Sequence, residues 1–489
     1  MFAFHLRARI LFPGGVSRSQ IHRISCLNIV SKTMLFPEDK FFGGSPQADK
    51  DFKRLDVPYV SKSDKFHFRT KDFSKQFSHI YASRLGEMVG LLTKRAKEKW
   101  GTEHPIKQLA ELKEDSPEKC VIIGTLFKHQ ELKPSILREI SEENQLVPQP
   151  PRSHYTDDAD ILILEDALQR IRLMGKIDVH SVVTGAVCAV LGYEDGDGRF
   201  RVEDYLFYES GPQKPLIPLE CSPLLVLISG LNLGSPNDFS MSMELLQQWI
   251  FGNLEGFGQS RDWEAASVVR VVLAGNSVKA SVKPRNNLHG RPTTESSDLL
   301  NAVKAVDTFV HNLAQSVNVD LMPGEFDPSN HMLPQQPMHQ CMFPKAVPFS
   351  SFRGVPNPYA FEIAGRSILG TSGQNVHDIG RYSKIEDPLE ALKSTLVWSH
   401  IAPTAPDTLP CYPYYQQDPF IVSECPHVYF AGNTGEFKTE LWKGRNGQQT
   451  RLICVPCFSE TQSVAVVNLR TLDCQQISFK VNEFDDTEE

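Results

Sequence analysis

Apolar positions three and four residues apart, at Phe77, Tyr81, Leu85, Met88 and Leu92, predict one amphipathic helix ending near Trp100-Gly101. A stripe of that kind serves to pack against a core. From Lys119 the pattern shortens to strands: Cys120–Lys128, Asp160–Glu165, Leu168–Met174, Val182–Leu191 and Phe200–Tyr205. The turn Asp195-Gly196-Asp197-Gly198 is a strong hairpin signal, because Asp-Gly tolerates the positive φ that tight hairpins need. Five strands with one long excursion after the first fit a small Greek-key barrel of the OB type. The excursion, Gln130–Arg152, is proline-rich (Pro134, Pro148, Pro150, Pro151) and reads as extended.

After the linker Gly211–Pro215, strands alternate with helices, which implies a layered α/β core. Leu224–Ile228 is a continuous apolar run of the length of a fully buried strand. Helices are expected at Met241–Phe251 and at Asp298–Ser316, the latter with Val303, Val306, Val310 and Leu313 on one face. A third opens at Asp387-Pro388, with Asp as the cap and Pro at the first helical position; Leu389, Leu392 and Leu396 form its inner face. Residues 284–297 read as a polar loop.

The turns at these strand ends follow, in order, the frame of two-metal phosphoesterases of the calcineurin type: D-x-H, G-D, G-N-H-D, a lone H, and G-H-x-H. Two divalent cations need rigidly held carboxylates and imidazoles to clamp a phosphate and activate water. Here the first motif carries Gly230 and Asn232 in place of its Asp and His. Asn276 stands for the Asp of the second. In Pro323-Gly324-Glu325-Phe326-Asp327-Pro328, Glu325 and Phe326 replace Asn and His while Asp327 stays. His400 fits the lone histidine, and Asn433 and Gly435 fill the two slots of the last motif. Glycine offers no ligating side chain and asparagine a weak one, so this frame predicts a phosphoesterase fold with no catalytic residues, metal or cofactor.

Composition narrows the choice. The chain has 489 residues, 40% of them hydrophobic, and a net charge of −8. Proteins that grip nucleic acid by neutralising phosphates carry a basic balance or stripe. The one Lys/Arg cluster, Lys94–Lys99, suits a solvated helix face, and the barrel strands carry acids (Glu165, Asp166, Glu194, Asp195, Asp197) and few aromatics. No apolar run is long enough to span a membrane. The first 33 residues hold five basic and no acidic side chains, like a mitochondrial transit peptide, and Met34 follows them; they are either a targeting extension or translated upstream sequence outside the main product. Ten cysteines lack paired spacing and read as core thiols. Cys454 and Cys457 form a lone C-x-x-C placed within a strand-like run, away from any strand–helix turn. The aromatic block Pro410–Tyr415 is a candidate partner anchor, or a lid over the degenerate cleft. Glu483–Glu489 is acidic and reads as a disordered tail.

Longer stretches carry a resemblance. Ile136-Leu137-Arg138-Glu139, Leu146–Arg152, Met322–Pro328, Leu333-Pro334-Gln335-Gln336-Pro337, Leu369–Val376 and Pro403–Leu409 resemble the B-subunits of replicative DNA polymerases, in particular the small regulatory subunits of the delta type. The match runs from about Phe68 to Phe479. It implies an α+β chain: an OB-fold barrel, then an inactive calcineurin-like phosphodiesterase α/β sandwich. The expected segments are a basic extension 1–33, a flexible or draped segment 34–72, a helix-plus-OB domain 73–212, a phosphodiesterase-like domain 213–480 and an acidic tail 481–489. The resemblance implies a nuclear, non-catalytic subunit serving replication and repair synthesis. Its implied partners are the metal-binding C-terminal domain of the catalytic subunit, the third and possibly fourth subunits, the sliding clamp indirectly, and DNA only through the complex. The iron–sulfur cluster of such a complex belongs to the catalytic subunit. The alternatives are a residually active metallophosphoesterase or nuclease using Glu325, Asp327 and His400, and an OB-type single-strand binder.

Overall fold

The computed structural model describes residues 53–481 except 69–71, 73, 113–117, 135–151, 196, 236–238, 255–263 and 280–293. The basic extension, most of the segment 34–72, most of the proline-rich excursion and the acidic tail therefore lie outside the described residues.

Helix α1 (Ser78–Trp100) buries Ile80, Arg84, Leu85, Met88, Leu92 and Ala96. Phe77 caps this helix and stays 48% exposed, so the buried stripe is shifted from the one the apolar spacing suggests, and it includes an arginine. The next five strands close into a barrel: β2 (Cys120–His129), β3 (Ile161–Glu165), β4 (Arg170–Gly175), β5 (Val187–Glu194) and β6 (Arg199–Leu206), in the order β2-β3-β4-β6-β5. Strand β4 begins two residues later than its apolar pattern because Asp166 Oδ1 accepts hydrogen bonds from the N–H groups of Leu168 and Gln169, making a turn. Leu168 is left at the hairpin tip, 77% exposed. Val182 and Val183 belong to the barrel core but precede β5, whose start is delayed past Gly185 (φ 90°).

Two six-stranded sheets follow. One is ordered β10-β9-β8-β7-β16-β17 and the other β1-β11-β12-β13-β15-β14. The first comprises β7 (Leu224–Ile228), β8 (Val268–Ala274), β9 (Asn318–Met322), β10 (Phe352–Gly354), β16 (Ser463–Asn468) and β17 (Cys474–Ser478). The second comprises β1 (Tyr59–Ser61), β11 (Tyr359–Ile363), β12 (Arg366–Thr371), β13 (Val428–Thr434), β14 (Lys438–Lys443) and β15 (Gln449–Pro456). Strands β7 to β10 pair in parallel, as do β12, β13 and β15; β16 joins β7 in the antiparallel sense.

The continuous apolar run of β7 follows from burial on both faces. Leu225 and Leu227 meet the second sheet among Phe361, Phe430, Ile453 and Val455. Leu224, Val226 and Ile228 meet Trp249 of α2 (Ser240–Phe251) and Val306 and Val310 of α3 (Thr294–Ala314). Helix α3 begins at Thr294, so the expected polar loop is helical over its last residues. The outer face of the second sheet is covered by α4 (Gln374–Tyr382) and α5 (Pro388–Val397). Asp387 caps α5 by accepting from the Leu389 N–H at 3.0 Å. The result is four layers, helix–sheet–sheet–helix, with the barrel sharing the core formed by α4 and α5. Residues 53–68 drape over this sandwich: Arg54 donates to the carbonyls of Ile250, Ala265 and Val268, and Phe66 is fully buried.

Among the described residues no helix is long and apolar enough to cross a membrane.

Candidate functional site

The turns that leave β7, β8, β9, β12 and β13 meet at one end of the sandwich. Ser229 Oγ donates toward the carbonyls of Val455 and Pro456 at 3.0 Å and accepts from Asn433 N–H at 2.9 Å. Asn433 Nδ2 donates to the carbonyls of Ser372 (2.8 Å) and Ala274 (3.2 Å). Asn232 Nδ2 donates to Ser459 Oγ at 2.9 Å. Asn276 Oδ1 accepts from Phe326 N–H at 3.2 Å. The three asparagines share a positive φ of 46°, 53° and 56° at 232, 276 and 433. Asparagine tolerates that conformation better than most residues, so each serves the turn itself.

The space at the first strand end is taken. A Cβ at Gly230 (φ 61°) would lie 2.8 Å from Cys457 Sγ and 2.9 Å from Asn433 Oδ1. Any larger side chain there meets occupied volume and a strained backbone at once. Asp327 is buried and turned into its own loop, accepting from the N–H groups of Val278 (3.0 Å) and Gly324 (2.8 Å). Burial pushes its carboxyl up to about 6, against the pull of those backbone donors. Glu325 and Phe326 point outward and are exposed, and Gly435 has open space around it. An imidazole the sequence pattern did not single out, His377 of α4, donates from Nε2 to the Asn433 carbonyl at 2.8 Å. Its signal was the helix start directly after Ser372-Gly373. Among the described residues no group of three or more His, Cys, Asp or Glu side chains is arranged to hold a metal ion.

His400 makes its contacts elsewhere. Its Nε2 lies 2.9 Å from Asp418 Oδ2, and its Nδ1 accepts from Ala402 N–H at 3.2 Å, which leaves the proton on Nε2. Asp418 also takes Arg84 Nε of α1 at 2.7 Å. The remaining Arg84 donors reach the carbonyls of Gly185 in the barrel and of Pro403 and Ala405 in the sandwich. All three side chains are buried. Burial lowers the His400 imidazole to about 4, with the Arg84 charge adding to it. Burial pushes the Asp418 carboxyl up, but His400 and Arg84 outweigh it and hold it below the ordinary carboxylate range. The joint is therefore an Arg–carboxylate pair steadied by a neutral imidazole, and it ties barrel to sandwich.

Two further expectations change. Cys454 lies in β15, but Cys457 caps the short helix α6 (Phe458–Thr461), so the pair does stand at a strand–helix turn. Burial raises the two thiols to about 12 and about 11, which makes them poor nucleophiles and poor ligands. The block Pro410–Tyr415 is spent on packing. Tyr412 stands 4.6 Å from Phe68 and 5.1 Å from Tyr414, ring to ring, and of the three tyrosines only Tyr415 is half exposed.

Comparison with known proteins adds a consistent set of likenesses. Residues 76–205 match the family described as DNA polymerase delta subunit OB-fold domain, and residues 225–439 match the B-subunit family of DNA polymerases alpha and epsilon. The chain is 52% identical over 432 residues to DNA polymerase delta subunit 2 of Drosophila melanogaster, spanning 88% of this chain and 99% of that protein. It is 39% identical to the DNA polymerase delta small subunit of Oryza sativa subsp. japonica, over 88% of this chain and 98% of the relative. Against the DNA polymerase delta small subunit of Saccharomyces cerevisiae the identity is 30%, over 87% and 94% of the two chains.

Proposed function

The chain belongs to the family of DNA polymerase delta small subunits, and on that premise we propose that it works without chemistry of its own, as the scaffold of a replicative polymerase. It is an accessory subunit of a complex that contains the polymerase's catalytic chain. In this reading it receives the C-terminal domain of the catalytic subunit and passes the connection on to the third, clamp-binding subunit. It acts in the nucleus and meets DNA through its partners.

One observation carries the non-catalytic reading: the space beside Gly230 is filled by Cys457 Sγ and Asn433 Oδ1. A phosphoesterase needs a carboxylate at that strand end to bind its first cation. The surrounding amides and hydroxyls are neutral, and each is used to hold a turn. The ionisable groups kept in the frame serve other ends: Asp327 caps its loop and the neutral His400 steadies the joint.

The test is reconstitution of the full chain with the catalytic and third subunits. Both subunits are expected to co-purify with it, and Glu325→Ala is expected to leave DNA synthesis by the complex within about twofold of the unsubstituted form. A large loss of synthesis in an intact complex would overturn the proposal, as would purification of the chain alone.

A further inference from the structure

The sandwich is open at the end where β1 and β10 form the outer edges of their sheets. β1 pairs on one side with β11, and β10 on one side with β9. Along β1 the ladder runs through alternate residues: Ala364 N–H donates to Pro58 O at 3.0 Å and Lys62 N–H to Ala360 O at 2.9 Å. The alternation of an antiparallel ladder then turns the N–H and C=O of Tyr59 and Ser61 to the open side. Among the described residues no backbone group takes them up.

Tyr59 and Ser61 also line a cavity of about 300 Å³ between the two edges, together with Phe343, Phe352, Arg353 and Tyr359. Arg353 forms a charged wall. Its guanidinium lies 4.5 Å from the centre of the Tyr59 ring. The carboxylate behind it, Asp320, is already bonded to Arg270 and to Tyr359 Oη, the latter at 2.7 Å. Arg353 itself is exposed and has no ion-pair partner among the described residues. Val347, which lines the cavity, is 38% exposed, and Val60, on the opposite face of β1 from Tyr59 and Ser61, is 48% exposed. Sheet edges left open to solvent are ordinarily blunted by charge or proline; in β1 these stand at the two ends, Pro58 and Lys62, and the centre between them is an exposed valine.

We propose that this seam receives an extended segment of another chain, which pairs with the open edge of β1, seats an apolar side chain in the cavity and sets a carboxylate on Arg353. Strand addition supplies main-chain hydrogen bonds, and the pocket beside the edge supplies the choice of sequence. A carboxylate suits a guanidinium in which no acid is yet engaged. The segment is thus an acidic–apolar strand of a partner subunit. This rests on the reading of the chain as a polymerase subunit.

The experiment uses the full chain assembled with its partner subunits. Val60 is replaced by the photo-reactive benzoylphenylalanine, and the same group at Leu168, on the barrel hairpin tip, reports chance labelling. Light is expected to link position 60 to another subunit well above the Leu168 control. Ser61→Pro removes the outward N–H, together with the hydroxyl that accepts from Ser63 N–H at 3.5 Å, and spares the ladder bonds to β11; Arg353→Glu reverses the wall charge, and each is expected to cut the crosslink roughly tenfold. An intact complex with no crosslink from position 60 overturns the seam and leaves the subunit reading standing. A crosslink to residues 1–52 of the same chain does the same. Failure of the unsubstituted chain to assemble with any subunit overturns both.

Discussion

The joint between barrel and sandwich and the cluster of strand-end turns use polar residues in opposite ways. The joint buries three ionisable side chains, Arg84, Asp418 and His400, and connects them in one chain of bonds. The strand ends gather Asn232, Asn276 and Asn433, neutral groups whose hydrogen bonds go mainly to backbone. Burying charge is costly unless every partner is in place, so the joint is where geometry is most tightly demanded. The strand ends, where a metal enzyme would concentrate its charge, hold only their own turns. The difference locates the mechanical centre of this chain between its two parts.

The largest effect is expected from Arg84→Ala, which strands Asp418 and three carbonyl acceptors. Removing one member of a buried pair costs about 3–5 kcal/mol, so thermal unfolding should fall by many degrees; a loss under about 1 kcal/mol would show the joint to be dispensable. Next comes pH. The His400 imidazole falls from 6.5 to about 4 on folding. The unfolded chain therefore binds more protons in that window, and stability rises with pH across it, being lost as pH falls from 6.5 toward 4. The contribution is on the order of 3 kcal/mol. Denaturant titrations should show that slope in the unsubstituted chain and a flatter one in His400→Asn; equal slopes would assign the proton uptake elsewhere.

At the strand ends, Gly230→Asp should cost about 1–3 kcal/mol through strain and crowding and gain nothing from manganese. A rise in unfolding temperature on adding the metal would mean that one carboxylate suffices to rebuild a site. The smallest effect is expected from Glu325→Ala. That side chain is exposed, and unfolding should stay within about 0.5 kcal/mol of the unsubstituted chain; a larger loss would reveal a partner for Glu325.

Local pattern carried much of the fold. The run Leu224–Ile228 announced a strand buried on both faces, Asp387-Pro388 announced a helix start, and the Asp-Gly turn announced the β5–β6 hairpin. What escaped depends on residues far apart in the chain. Arg84 lay on the apolar stripe of α1, and a charge on such a face is a signal of a buried partner. That partner, Asp418, is 334 residues away and had no mark of its own. His400 fitted the order of a metal motif, yet its ring went to a carboxylate 18 residues later in a loop. Cys457 read as strand because Val455 and Pro456 precede it, but Phe458 N–H bonds back to Ser229 O and turns the chain into a helix. The aromatic block Pro410–Tyr415 reads as a partner anchor or a lid because the ring it packs against, Phe68, lies in the draped segment.

The pairing of β16 with β7 has a consequence for how the protein is made. Ala465 lies opposite Leu227, so the middle of the first sheet waits for residues translated long after β7. Ribosomes add about 5–20 residues per second, and the intervening stretch takes on the order of ten seconds or more to emerge. The barrel, whose strands β2 to β6 end at Leu206, can close well before that. Through this interval β7 presents an unpaired apolar edge. A message cut short before Ser463 would therefore yield a chain with a finished barrel and a sandwich that exposes an adhesive strand, a natural client for chaperones and proteases.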